Sequence, residues 1–263
     1  MLTTLLIYLA TGLAAGLMAG LFGVGGGMIM VPALALVLPT QGVASGVTMQ
    51  VAIATSLAVI SVTSISSMHR HHQLQGVRWP VFRLMAPGLA VGAMAGAFVA
   101  DVLPSRTLAQ IVGVGALLTA VQMWLEFKPK AHTALPGNVG LSTAGGVIGV
   151  LSALIGIGGG SLTVPYLSWC SVPMRQAVGT AAACGMPIAW AGMIGFMIAG
   201  QGEPGRLAWS IGYVDMAGFA GIALASVPAA RLGATLAHRL SPRVLKRSFA
   251  VLLTLIGIKM LLG

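Results

Sequence analysis

Residues 21–34 read LFGVGGGMIMVPAL, and residues 154–167 read LIGIGGGSLTVPYL. Gly23, Gly25, Gly26, Gly27 and Pro32 recur in register as Gly156, Gly158, Gly159, Gly160 and Pro165. The echo extends on both sides of this core. MQVAIATS at 49–56 resembles MRQAVGTA at 174–181, and LPSRTL at 103–108 resembles LSPRVL at 240–245. One unit therefore occurs twice: a first copy over 1–127, a linker over 128–137 carrying Lys128, Pro129, Lys130 and Pro136, and a second copy over 138–263. A repeat of this kind sets the architecture before any single element is considered.

The material between the motifs is lipid-compatible. The chain has 263 residues, 57% hydrophobic and 7% charged, whereas a soluble domain carries about 25% charged residues. Apolar stretches of the ~20 residues a membrane span needs cover 4–38, 47–68, 81–102, 105–127, 138–168, 176–200, 209–235 and 244–262. No Lys or Arg precedes the first, which reads as a membrane segment and not a cleaved signal. The expected fold is an all-α integral membrane protein.

Net charge is +10, from 14 Lys and Arg against four acids. No soluble basic domain and no aromatic-basic patch accompanies it, so nucleic acid is not the partner. The partner is the bilayer, whose cytoplasmic face collects basic loops. In the first copy the loop 69–80 is basic (His69, Arg70, His71, His72, Arg78), and the next loop holds only Asp101 and Arg106. In the second copy 201–208 is near neutral, with Glu203 and Arg206. The following loop, 236–247, carries His238, Arg239, Arg243, Lys246 and Arg247. Equivalent loops thus face opposite sides, which predicts an inverted repeat, the arrangement common in secondary transporters. It follows that 4–38 and 138–168 each enter and return on one side, folded at their glycines. Each copy is then a Gly-broken helical hairpin plus three transmembrane helices, with 128–137 cytoplasmic.

Three successive glycines unwind a helix. Backbone freed at membrane depth is tolerated only where protein or a water-filled cavity covers it. A short helix starts after each turn, and its unpaired first amides carry the positive end of the helix dipole. Such an end binds anions without a charged side chain. The expected anion site therefore comprises Gly25, Gly26, Gly27 and Met28 with Gly158, Gly159, Gly160 and Ser161; the alternative is that these glycines only permit tight packing. A branched side chain at Gly26 or Gly159 is expected to block it without unfolding the protein. Gln50, Thr55 and Ser56, echoed by Arg175, Gln176 and Thr180, are a second polar element. Their hydroxyls can donate to an oxyanion or bond their own helix carbonyls. Asp215 reads as the favourable charge that starts its helix, with proton coupling the alternative. Gly12, Gly16 and Gly20, and Gly92 and Gly96, are spaced as close-contact helix faces.

Several chemistries find no support. GIGGGS lacks the Gly-Lys-Ser/Thr of a phosphate-binding loop, and GVGGG misses the GxGxxG dinucleotide pattern. No Ser/His/Asp set suggests hydrolysis, so the chain is not read as an enzyme. Cys170 and Cys184 lack CxxC spacing and read as packing residues. His69–His72 has no acid or Cys nearby to complete a metal site, and no cofactor is implied.

LFGVGGGMIMVPAL with its repeat, the VAIATSLAVI helix, and MHR followed by GVRWP resemble the TauE/SafE family of sulfite exporters and related sulfur-compound carriers. The resemblance covers nearly the whole chain. It implies a membrane carrier for sulfite, a sulfonate, thiosulfate or a similar anion, in a bacterial inner membrane, with export the expected direction. The family often has an acid where this chain has Val77-Arg78-Trp79; the second copy keeps one in Val214-Asp215. Ala181 stands where the first copy has Ser56. A carrier of another small anion, and a non-transporting assembly factor using the His69–His72 loop, are the alternatives. The oligomeric state, a homo-oligomer included, is left open.

Overall fold

The computed structural model describes residues 2–22, 26–125, 135–237 and 242–262. Backbone amides and carbonyls find no water in a bilayer core, so the chain satisfies them within helices. In order these are α1 (Leu2–Phe22), α2 (Gly27–Val37), a 3-10 turn (Leu38–Gln41), α3 (Thr48–Gln73), α4 (Trp79–Val102), α5 (Ser105–Trp124), α6 (Asn138–Ile155), α7 (Gly160–Trp169) and α8 (Met174–Ala199). A two-stranded ladder, β1 (Ser210–Ile211) and β2 (Val214–Asp215), leads into α9 (Met216–Ala237) and α10 (Pro242–Leu262). Among them α3, α4, α5, α6 and α8 are long and apolar enough to cross a membrane. The chain is an all-α multi-pass membrane protein.

The long apolar segments break at their glycines. α2 has 11 residues and α7 has 10, and at ~1.5 Å per residue either reaches about half of a ~30 Å hydrocarbon core. α7 runs back along α8: its cap Gly159 faces Ile188, deep in α8, and its other end leads into Met174, where α8 begins. α2 runs back along α3 in the same way, from Gly27 beside Ile60 to the loop before Thr48.

Packing is largely between copies. α1 lies along α9 in the same direction, Gly12 against Ile222 and Gly16 against Ser226. α4 lies along α6, again parallel, Gly88 against Ser142 and Gly96 against Val150. A β-carbon at Gly12, Gly16, Gly88 or Gly92 would strike backbone of the facing helix, so these glycines set the interhelical distance. α3 and α8 run antiparallel: Gly76, just past α3, meets Gly179 early in α8, while Leu57 meets Gly192. α5 and α10 are antiparallel too, with Gly113 against Met260 and Leu117 against Gly257. α3 is the central helix, its most apolar window 67% buried against 33% for α5. Leu118 and Leu255 on the peripheral α5 and α10 face outward, as a lipid-facing surface requires.

The expected span at 209–235 needs correction at its start. Residues 209–215 are not helical: Gly212 turns the chain with φ 56°, Ser210 pairs with Asp215 and Ile211 with Val214. The helix begins only after Asp215, whose carboxylate accepts from the amides of Ala217 and Gly218 (both 3.1 Å). Asp215 is thus the helix-starting charge expected. The basic loop 236–247 lies partly outside the described residues, as do 126–134 and with them most of the linker.

Candidate functional site

The two short helices are capped in the same geometry. Gly26 caps α2 at φ 69°, ψ −23°, and Gly159 caps α7 at φ 77°, ψ −16°. This left-handed region is open to glycine and costly for residues with a β-carbon. The Gly26 carbonyl accepts from Ile29 (3.1 Å) and Met30 (2.9 Å), and the Gly159 carbonyl from Leu162 (3.2 Å) and Thr163 (2.8 Å). The amides before them, at Gly27 and Met28 and at Gly160 and Ser161, are first-turn donors with no carbonyl one turn back. They form the positive end of each short helix. The expected Gly26→Val and Gly159→Val blocks need correction. Both positions have positive φ, and at Gly159 the added carbon would also meet Ile188 Cδ1. Such variants are strained whether or not an anion binds.

The two turns meet inside the bundle. A β-carbon on Gly27 would lie 2.5 Å from the Gly156 carbonyl oxygen and 3.0 Å from Ile157 Cα. Gly156 in turn packs against Val31 and Ile53, and Gly158 against Ile60. Ser56 Oγ donates to the Gly156 carbonyl at 3.1 Å, tying α3 to the second turn. Met28 is buried, Ser161 half-buried, and nothing lies within 4 Å of a β-carbon built on Gly160. Gly25 lies outside the described residues.

The second polar element behaves differently. Thr55 Oγ1 accepts the backbone amide of Asp215 at 3.1 Å, and Thr180 Oγ1 accepts that of Arg78 at 2.9 Å. Each threonine of one copy holds the residue that precedes the fourth helix of the other. Gln50 and Arg175 are not beside the turns. Gln50, in the first turn of α3, donates from Nε2 to the Leu103 carbonyl at 2.9 Å. Arg175, in the first turn of α8, donates to the Leu74 carbonyl at 2.7 Å and is exposed. Both first turns lie at ends of full-length helices, whereas the glycine breaks are interior.

Two carboxylate partners went unread in the sequence. Tyr8 on α1 donates its hydroxyl to Asp215 Oδ2 at 2.5 Å, and both residues are buried. Tyr213, between the two strands, donates to Asp101 Oδ1 at 2.7 Å. Burial, and then the adjacent Asp101 carboxylate, push the Tyr213 phenol well above its ordinary range, so it stays a donor. The readable signal was Asp215 itself, because an acid in a membrane segment needs a partner.

The family described as Sulfite exporter TauE/SafE matches residues 8–260 of this chain. The chain belongs to the TauE/SafE family. It is 35% identical to a "Probable membrane transporter protein" of Haemophilus influenzae, over 100% of both chains. It is 27% identical to one of Methanocaldococcus jannaschii, covering 97% of this chain and 95% of the relative. It is 29% identical to "Probable membrane transporter protein YunE" of Bacillus subtilis, covering 97% and 96%. No solved structure matches it significantly.

This TauE/SafE chain is therefore a multi-pass membrane transporter. Amides at a helix start have no carbonyl partner one turn back, and open space lies beside Gly160.

Proposed function

We propose that this TauE/SafE transporter is a secondary carrier of sulfite or a related small sulfur oxyanion, and that it exports its substrate across a bacterial inner membrane. The anion sits at the facing turns, near Gly26, Gly27 and Met28 and near Gly158, Gly159, Gly160 and Ser161. The observation that carries the reading is the contact of Gly27 with Gly156 and Ile157, which sets the start of α2 against the turn that leads into α7 inside the bundle. Each start supplies about half a positive charge, enough to favour an anion over a cation of equal size.

The two copies form an inverted repeat in this reading. The antiparallel courses of α3 against α8 and of α5 against α10 support it, because equivalent helices related by a twofold axis in the membrane plane run in opposite directions. The contacts α1 with α9 and α4 with α6 also exchange into each other when the copies are swapped. No ATP-binding motif is present in the sequence, so the solute gradient or a coupled ion drives the movement.

Purified protein in liposomes tests the reading. Labelled sulfite, a sulfonate or thiosulfate should equilibrate across the vesicle wall faster than in empty liposomes, and choline should not. Equal flux with empty vesicles for every sulfur oxyanion would overturn it. For the topology, single cysteines at 105 and 202 should react with an impermeant reagent from outside, and one at 73 only after the cell is opened. Labelling of 73 and 202 from the same side would refute inversion.

A further inference from the structure

The two turns share a backbone but not a lining. Aligning 21–34 with 154–167 and extending back by one turn sets Ala19, Met28 and Met30 of the first copy opposite Ser152, Ser161 and Thr163 of the second. Aligning 49–56 with 174–181 sets Ser56 opposite Ala181, and Ser56 also lies at the second turn, on the Gly156 carbonyl. The hydroxyls therefore gather at the second turn, and none of their counterparts carries one.

Two of these hydroxyls are buried without a partner. Ser152 and Thr163 are each 0% exposed, and neither Ser152 Oγ nor Thr163 Oγ1 has a hydrogen bond. Other threonines of this bundle satisfy themselves on their own helix: Thr119 bonds the Gly115 carbonyl at 2.9 Å and Thr254 the Ala250 carbonyl at 2.8 Å. Thr163 does not, although it has a helix to do so. Its Oγ1 lies 3.5 Å from the position a β-carbon of Gly159 would take. It is therefore aimed back at the turn, as side chains in a first helical turn lean toward the N-terminus. The first amides of α7, at Gly160 and Ser161, belong to the same turn, and the space beside Gly160 is open. The matching residues on α2, Met28 and Met30, are buried thioethers that offer no donor.

We infer that Thr163 is a substrate-binding residue, and that the second turn supplies the side-chain donors to the charged oxygens of the anion. The α7 amides and the Thr163 hydroxyl donate to the anion, with the Ser152 hydroxyl on the α6 side, while the first turn contributes the α2 amides and no side-chain donor. The ligand class is an oxyanion with several acceptor oxygens, since placed hydroxyls discriminate by direction and a halide has none. This inference rests on the reading of the turns as the anion site.

The test uses the full chain in liposomes and in detergent, with sulfite as probe and chloride as comparison. Thr163→Val keeps the shape and removes the donor. Without ligand it should unfold at the same temperature as the parent or higher, because an unpaired buried hydroxyl is gone. Its half-saturating sulfite concentration should rise about tenfold or more, the loss expected for a hydrogen bond to a charged ligand. Thr163→Ser should restore most of the affinity, and Met30→Leu should leave it within about twofold. Sulfite affinity of Thr163→Val within twofold of the parent would overturn the inference while the parent still carries sulfite. So would an equal loss in Met30→Leu, or a fall in ligand-free stability that the serine variant shares. A parent that carries no sulfur oxyanion at all overturns the anion reading itself, and this inference with it.

Discussion

The strap entering α4 and the strap entering α9 make the same backbone bond with opposite side chains. Arg78 and Asp215 each give their amide to a threonine of the other copy, Thr180 and Thr55. There the likeness stops. Asp215 is fully buried, closes the first turn of α9 and receives the Tyr8 hydroxyl. Arg78 is half-buried, and no side chain caps the helix it precedes. A positive charge there is unfavourable to the dipole of α4, but it suits a basic loop at the membrane edge. The duplicated unit keeps the backbone contact between copies, and the side chain at that position is free to serve a different end of the molecule.

The largest expected effect breaks this pair apart. Asp215→Ala removes a helix cap and leaves the buried Tyr8 hydroxyl without its acceptor, a loss of about 2–4 kcal/mol. Arg78→Ala leaves its amide on Thr180 and should change stability by no more than about 0.5 kcal/mol. Thermal unfolding of both variants in one detergent checks the contrast, and similar shifts would mean that the two straps carry similar side-chain work.

Thr55→Val and Thr180→Val ask the converse question, whether the shared backbone bond is of equal weight. Each strands one backbone amide, that of Asp215 buried and that of Arg78 part-buried, and should cost about 1–2 kcal/mol. The two costs should agree to within about 0.5 kcal/mol. A large gap would show that the copies are not equivalent even in their backbone contacts.

The smallest expected change in stability comes at the second turn. Gly160→Ala places a methyl in open space at a position with helical geometry, so stability should stay level or rise by up to about 1 kcal/mol. Sulfite flux should nevertheless fall severalfold, because the methyl occupies the space in front of the α7 amides. Paired flux and melting measurements read both. Unchanged flux would place the anion elsewhere.

The doubled GxGGG motif made the breaks in both long segments legible, and the five-residue spacing of glycines and prolines survived as matching turn geometry at Gly26 and Gly159. Hydropathy located most helices within a few residues but misread 209–215. Trp209, Ile211 and Val214 look like membrane residues, and hydropathy counts side chains while the ladder is made by backbone. The roles of Thr55, Thr180 and Tyr8 were not legible for another reason. Their partners stand 160, 102 and 207 residues away and in the other copy. A repeat read within itself cannot reveal what it bonds outside itself. Gln50 and Arg175 were grouped with the threonines by sequence nearness, yet along a helix five residues separate levels by about 7–8 Å.

The exchange of partners between copies has a consequence for synthesis. α1 finds its parallel neighbour in α9, and Tyr8 finds Asp215 only there. A ribosome adding about 5–20 residues per second leaves α1 waiting on the order of ten seconds or more for that neighbour. During this interval the glycine face of α1 and the Tyr8 hydroxyl must be covered by lipid, by the insertion machinery or by a provisional helix. Truncation anywhere before α9 would leave that cover in place indefinitely, so the first half of this chain is an insertion intermediate and not a miniature of the whole.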